Sequence, residues 1–127
     1  MSALILDAGA FIAVDRDDRA MIARLRVAHS FGLELRTTGI VVAEVWRDAS
    51  GRQSNLARLV KSVDVRAVDD RLGRAAGVLL GRARRGQAAD ATIVAVAAGG
   101  DRIVTSNAGD LSGLVAASGR EIEVVAC

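Results

Sequence analysis

Five short strand-like runs, at residues 3–6, 33–36, 62–68, 102–105 and 121–126, divide the chain, and helical patterns fill every interval between them. That alternation constrains the fold more than any other feature. Parallel strands cannot be joined by a tight turn; they need a long crossover, and a helix is the usual one. Strands and helices taking turns at this spacing predict an α/β domain with a mainly parallel five-stranded sheet. Right-handed crossovers then place helices on both faces, as a three-layer sandwich. The expected helices cover residues 8–14, 19–31, 40–49, 53–61, 71–84, 91–98 and 108–117. Thr38 is a candidate N-cap for the third, Asp69 and Asp70 for the fifth and Asp90 for the sixth, with Gly86 closing the fifth.

The length, 127 residues, suits a single domain over 1–127. Half of the residues are apolar, which excludes overall disorder. Cys127 is the one cysteine, so a disulfide scaffold is excluded and an inert free thiol is expected. The apolar runs are too short to span a membrane. Met1 is followed by no basic start and no cleavage pattern, so we read no signal peptide and expect a cytoplasmic protein.

Function in a parallel sheet is expected where strands end and helices begin, because ligands bind on that edge. Four acids map there. Asp7 ends the first strand, Glu44 lies early in the helix after the second, Asp90 opens the sixth helix, and Asp110 follows the fourth strand. Each also has an ordinary reading. Asp7 and Asp90 suit helix N-caps, Glu44 can pair with Arg47 on a helix face, and Asp110 beside Gly109 suits a turn. Three of them stand at the margins of apolar segments: `LIL` before Asp7, `IVVA` before Glu44 and `ATIVAVA` after Asp90. An uncompensated charge is costly there. Clustered carboxylates repel one another and commonly share a divalent cation. Oxygen ligands without His or Cys point to Mg²⁺ or Mn²⁺.

Net charge is +2, but it is unevenly placed. Residues 47–89 carry nine Arg and Lys61 against four acids, a basic segment between two acidic ones. Such a flank beside an acidic pocket suits a phosphate polymer, although an Arg-rich surface also serves solubility alone. Arg84, Arg85 and Arg47 are the candidate contacts. His29 is expected to be structural, and Trp46 to be a core or partner contact rather than a catalytic group. The apolar stripes of residues 19–31 and 53–61 suit either core packing or a partner.

The segments `LILDAGAFIA`, `TTGIVVAEVWR`, `ADATIVAVAA` and `RIVTSNAGDL` resemble, in order and spacing, the four acidic motifs of the PIN domain. The size and single-domain build are similar to those of VapC-type ribonuclease toxins of bacterial toxin–antitoxin pairs. The resemblance implies a Rossmann-like PIN sandwich and Mg²⁺-dependent hydrolysis of RNA phosphodiesters. It implies metal and catalytic roles for Asp7, Glu44, Asp90 and Asp110, with Thr105 and Asn107 as polar support. It further implies an antitoxin partner that neutralises the activity, and a homodimer. The scarcity of aromatics argues against recognition of single strands by stacking, so a structured RNA substrate is expected. Two departures stand out. Gly9 replaces the Ser or Thr that many relatives carry near the first acid, and Asn107 replaces a frequent Asp. They motivate an alternative, a catalytically weak or inactive PIN-like protein that serves as an antitoxin-binding partner. A phosphatase or receiver domain using Asp7 would need a second acid at residue 9, or a Lys after a late strand; Gly9 and the early position of Lys61 speak against both.

Overall fold

The structure, a computed structural model, describes residues 2–47 and 51–127. The first strand, β1 (Ala3–Leu6), is buried along its whole length, as the unbroken apolar run requires. Asp7 stops it and caps α1 (Ala8–Asp15). Asp18 caps α2 (Arg19–Ser30), accepting from the Met21 amide at 3.0 Å, and the buried face Met21, Leu25 and Ala28 has helical spacing.

The second strand, β2 (Glu34–Thr38), runs two residues beyond the expected end at Arg36. Thr37 and Thr38 stay extended because their β-branched side chains favour it and both hydroxyls find partners across the sheet edge. Helix α3 (Gly39–Val45) is shorter than expected. Trp46 has already left the helix with ψ at 130°, and residues 48–49, its expected last turn, lie outside the described residues, as do Met1 and Ser50. Thr38 occupies the N-cap position of α3 but makes no side-chain cap bond.

Helix α4 (Ser54–Lys61) precedes β3 (Asp64–Arg66), an edge strand cut to three residues from the expected seven. Asp69 caps α5 (Asp70–Ala83), accepting from the Leu72 amide at 2.9 Å. That helix ends at Arg84, in the left-handed region at φ +57°, and not at Gly86. Helix α6 (Ala88–Ala95) begins earlier than expected, so Gln87 holds the cap position and Asp90 lies inside the first turn. Then follow β4 (Arg102–Thr105), α7 (Ala108–Ser118) and β5 (Glu123–Ala126).

The five strands form one sheet in the order β3-β2-β1-β4-β5, and every pairing is parallel. The chain steps outward from β1 through β2 to β3, then crosses to β4 and steps the other way to β5. Right-handed crossovers therefore put α1 to α4 on one face and α5 to α7 on the other. The contacts agree: α1 packs with α2, α3 and α4, while α5, α6 and α7 pack with one another. The result is a three-layer sandwich with its core on β1 and β4. Ile5, Leu6, Ile103 and Val104 are shielded from solvent, with Phe11 on one face and Ile93, Leu111 and Leu114 on the other. The direction of winding reverses between β1 and β4, so a crevice opens at their C-terminal ends.

Candidate functional site

At that crevice, Asp7 extends β1 by one residue, its amide donating to Val104 O at 3.1 Å. The residue is only 6% exposed. Oδ1 accepts from the Ala8 amide at 2.8 Å, the cap bond of α1, and Oδ2 accepts from Thr105 Oγ1 at 2.8 Å. Thr105 Oγ1 in turn accepts from the Asn107 amide at 2.9 Å. One hydroxyl thus ties the β4–α7 loop to the first acid. Thr37 Oγ1 donates to Leu6 O at 2.7 Å and fixes the peptide just before Asp7.

The missing hydroxyl at residue 9 has a structural explanation. A Cβ on Gly9 would stand 2.7 Å from Ser106 Oγ, 2.8 Å from Ser106 Cβ and 3.0 Å from the Ser106 amide nitrogen. Ser106 fills the space a side chain at 9 would need. Asp7 nevertheless has an orienting hydroxyl, which Thr105 supplies from β4.

Asp90, inside the first turn of α6, is 9% exposed. Burial first, and then the charges of Asp7, Asp110 and Glu44, together push its carboxyl up to about 6. Glu44, late in α3 and exposed, is raised by partial desolvation of its carboxyl and then by Asp7. Asp110 sits in the first turn of α7, exposed, with Arg85 Nη2 at 4.0 Å. Four carboxylates from four separate segments thus face one another at one edge. Among the described residues, Asp7, Glu44 and Asp90 have no ion-pair partner. Among the described residues, too, no three acidic, His or Cys side chains are grouped tightly enough to hold an ion as they stand. The donor chemistry, carboxylate oxygens alone, suits a hard divalent cation.

Of the arginines, Arg85 is brought to the site through Asp110, and Arg84 stands beside it at the exposed end of α5. Arg47 is engaged differently. Its Nη1 donates to Ala43 O and Trp46 O at 3.1 and 2.8 Å, finishing α3. The Asn107 side chain makes no cap bond, although the residue holds the N-cap position of α7. Cys127 reaches the same edge, its amide donating to Thr105 O at 2.9 Å, and burial pushes its thiol up. His29 lies elsewhere, on an apolar groove of about 390 Å³ between α1, α2, α4 and β2 that Ile22, Leu25, Leu35 and Leu59 help to line.

The residues that sequence reasoning missed are hydroxyls: Thr37, Thr92 and Ser106. Thr38 reads from the sequence only as a cap. The available signal was the Thr-Thr pair at the end of β2 and a Thr two residues after Asp90.

No protein-family model matches the chain, and no curated protein sequence matches it. Solved structures do. One, of VapBC2 from Rickettsia felis bound to a DNA fragment from their promoter, superposes with a TM-score of 0.72 over 96% of this chain and 98% of that one, at 13% identity. Another, of FitAB bound to IR36 DNA, gives 0.63 over 97% and 94%, at 16% identity. The likeness establishes the fold, a PIN-like α/β sandwich with a wholly parallel five-stranded sheet. No helix among the described residues is long and apolar enough to cross a membrane.

Proposed function

We propose that the protein is a Mg²⁺-dependent endoribonuclease of a toxin–antitoxin pair. The observation that carries this reading is the convergence of Asp7, Glu44, Asp90 and Asp110 at the β1/β4 crevice, with the two most buried, Asp7 and Asp90, lacking a cationic partner among the described residues. Buried carboxylates in that state are costly to ionise together, and a divalent cation removes the cost. Mg²⁺, or Mn²⁺ in its place, would be held by Asp7, Glu44 and Asp90, with Asp110 completing the oxygen set. When bound, it supplies a more acidic water and offsets charge on the phosphate.

The chain's own groups do the rest. Thr105 holds Asp7 Oδ2, so the first ligand is already oriented. A carboxylate of this edge, Asp90 or Asp110, orients the attacking water or accepts its proton. Arg84 and Arg85 meet the phosphates of a structured RNA at the mouth of the crevice. The structural neighbours are complexes described with their partners on DNA. In line with them, an antitoxin is the expected partner, and the groove along α2 and α4 offers it apolar area; the chain is read as a cytoplasmic homodimer. The test is cleavage of folded RNA in Mg²⁺ by the wild type, Asp7→Ala and Asp90→Ala. Loss of cleavage in both variants is expected, and equal behaviour of all three defeats the reading.

A second reading is a catalytically weak or inactive binding partner of the antitoxin. The absence, among the described residues, of three acids grouped tightly enough to hold an ion, and the neutral Asn107, favour it. Calorimetry with Mn²⁺ separates the two: no heat of binding at millimolar ion, from folded protein, selects the second.

A further inference from the structure

Thr38 and Thr92 are both shielded from solvent, at 0% and 1% exposure. Thr38 ends β2 at the N-cap position of α3, the helix that carries Glu44, yet its hydroxyl makes no bond to that helix. Its Oγ1 lies 3.0 Å from Thr92 Oγ1 instead. Thr92 Oγ1 donates to Ala89 O at 2.7 Å. A hydroxyl has one proton. Since the Thr92 proton is committed to Ala89 O, Thr38 is the donor in the bond between the two threonines. The chain of bonds therefore has a direction, from the end of β2, through Thr92, to the carbonyl immediately before Asp90. Asp90 sits between its two anchors, Ala89 and Thr92.

We propose that the Thr38–Thr92 hydroxyl chain is a positioning device that sets Asp90 against Glu44 and so fixes the spacing of the divalent-cation site. The inference rests on the cation reading above. Neither threonine touches an ion or substrate; both act through Asp90. The sheet edge alone does not need these hydroxyls, because valine has the shape of threonine and carries no polar group to satisfy. Replacing both partners of a buried hydrogen bond by apolar groups of equal shape is close to neutral for stability. The two roles, polar satisfaction and positioning, are therefore separable by experiment.

The variants are Thr92→Val, Thr38→Val, the double valine and Thr92→Ser. Three properties are read: urea unfolding, Mn²⁺ affinity by calorimetry, and the Asp90 carboxyl ¹³C resonance of metal-free protein at about pH 8, where ordinary carboxylates are ionised. Thr92→Val should lose both stability and affinity, and Thr92→Ser should keep both. The double valine should recover most of the stability while its Asp90 resonance stays displaced and its Mn²⁺ affinity stays about tenfold weak, the usual scale for an outer partner of a metal ligand. A double valine with wild-type resonance and wild-type affinity overturns the proposal. If the wild type binds no Mn²⁺, the cation reading fails, and the resonance alone decides the positioning claim: displaced in the double valine upholds it, unmoved refutes it. Should the double valine not fold, Thr38→Val, which cuts only the link to β2, is judged by the same resonance.

Discussion

Gly9→Ala is expected to destabilise the protein although it places a better helix former inside a helix. Two glycines in helices allow a controlled comparison. Gly77 lies mid-way along α5, and a Cβ there meets no heavy atom within 4 Å. Replacing an exposed helical glycine by alanine gains about 0.5–1 kcal/mol. Gly9 lies in the first turn of α1, where the same gain is at most similar. Its added Cβ, however, would come within 2.7 Å and 2.8 Å of the Ser106 side chain and 3.0 Å of the Ser106 amide nitrogen. Overpacking of this kind costs about 1–3 kcal/mol. Neither site has a positive φ, so conformational strain does not enter. Gly77→Ala should therefore stabilise and Gly9→Ala destabilise, with about 2 kcal/mol between them. At roughly 4 °C of melting temperature per kcal/mol for a chain of this size, the separation is about 8 °C. Urea melts followed by circular dichroism, with unchanged slope, supply the free energies. Ser106→Gly removes the two nearest atoms, so the double variant Gly9→Ala/Ser106→Gly should lose less than Gly9→Ala does relative to its own parent. If Gly9→Ala stabilises as much as Gly77→Ala, the close approach of the β4–α7 loop to α1 is wrong, and with it the account of why Thr105 and not residue 9 orients Asp7.

The other expectations concern the acids and the groups that hold them. Asp90 has a folded-state pKa raised from 3.8 to about 6, so the folded protein holds that proton more tightly than the unfolded chain and stability falls as pH rises from about 4 through 6. Asp90→Asn should flatten that fall in chelator-treated protein and exceed the wild type at pH 8 by about 1–2 kcal/mol after solvent screening, measured by urea melts at both ends of the range. Asp101, 3% exposed at the opposite sheet edge, accepts from the Ala3 and Ala98 amides, each at 2.7 Å, with Arg36 Nη1 at 3.6 Å. Asp101→Ala should cost about 3 kcal/mol, since it leaves two amides without their partner and removes one carboxylate from Arg36, which keeps Glu34, Asp64 and Val96 O, yet leave cleavage per folded molecule unchanged. Thr105→Val breaks the bond to Asp7 and orphans the Asn107 amide, so a loss of about 2 kcal/mol and of about tenfold in Mn²⁺ affinity is expected, with Thr105→Ser restoring both.

The strands that were legible in the sequence are those whose neighbours are close to interchangeable. β1 is an apolar tetrapeptide stopped by Asp7, and β4 carries a central Ile-Val pair shortly after Gly99-Gly100, so any partner strand would bury them. β3 was over-read because alternation promises a buried face, and an edge strand covers little: Val63 is buried, but Val65 remains 39% exposed. β2 was under-read because Thr37 and Thr38 look polar. Their hydroxyls are satisfied by Leu6 and Thr92, partners 31 and 54 residues away, and nothing local reports such a bond. The start of α6 was misplaced for the opposite reason. Asp is a favoured cap, but Ala88 and Ala89 extend the helix upstream at no cost, which turns Asp90 from a cap into a side chain inside the first turn.

For the acidic residues, the sequence poses a choice that the molecule does not make. Asp7 is an ordinary N-cap through Oδ1 and a site residue through Oδ2, and a carboxylate has lone pairs for both. The basic segment divides in the same way. Arg66 pairs with Asp64, Arg74 with Asp70, and Arg47 and Arg58 donate to nearby carbonyls. Two of the ten cations between residues 47 and 89 are thus paired within the segment, and two more are held against carbonyls. The arginines left nearest the crevice are Arg84 and Arg85, and their position follows from where α5 stops. Arg84 adopts the left-handed cap conformation, and Gly86, at φ +113°, lies where a Cβ would approach Leu114 of α7 to 3.2 Å. The loop is therefore drawn against the helix that carries Asp110. Charge counted along the sequence points to a broad basic face, whereas the backbone geometry of three residues narrows the candidate phosphate contact to one corner of the acidic site.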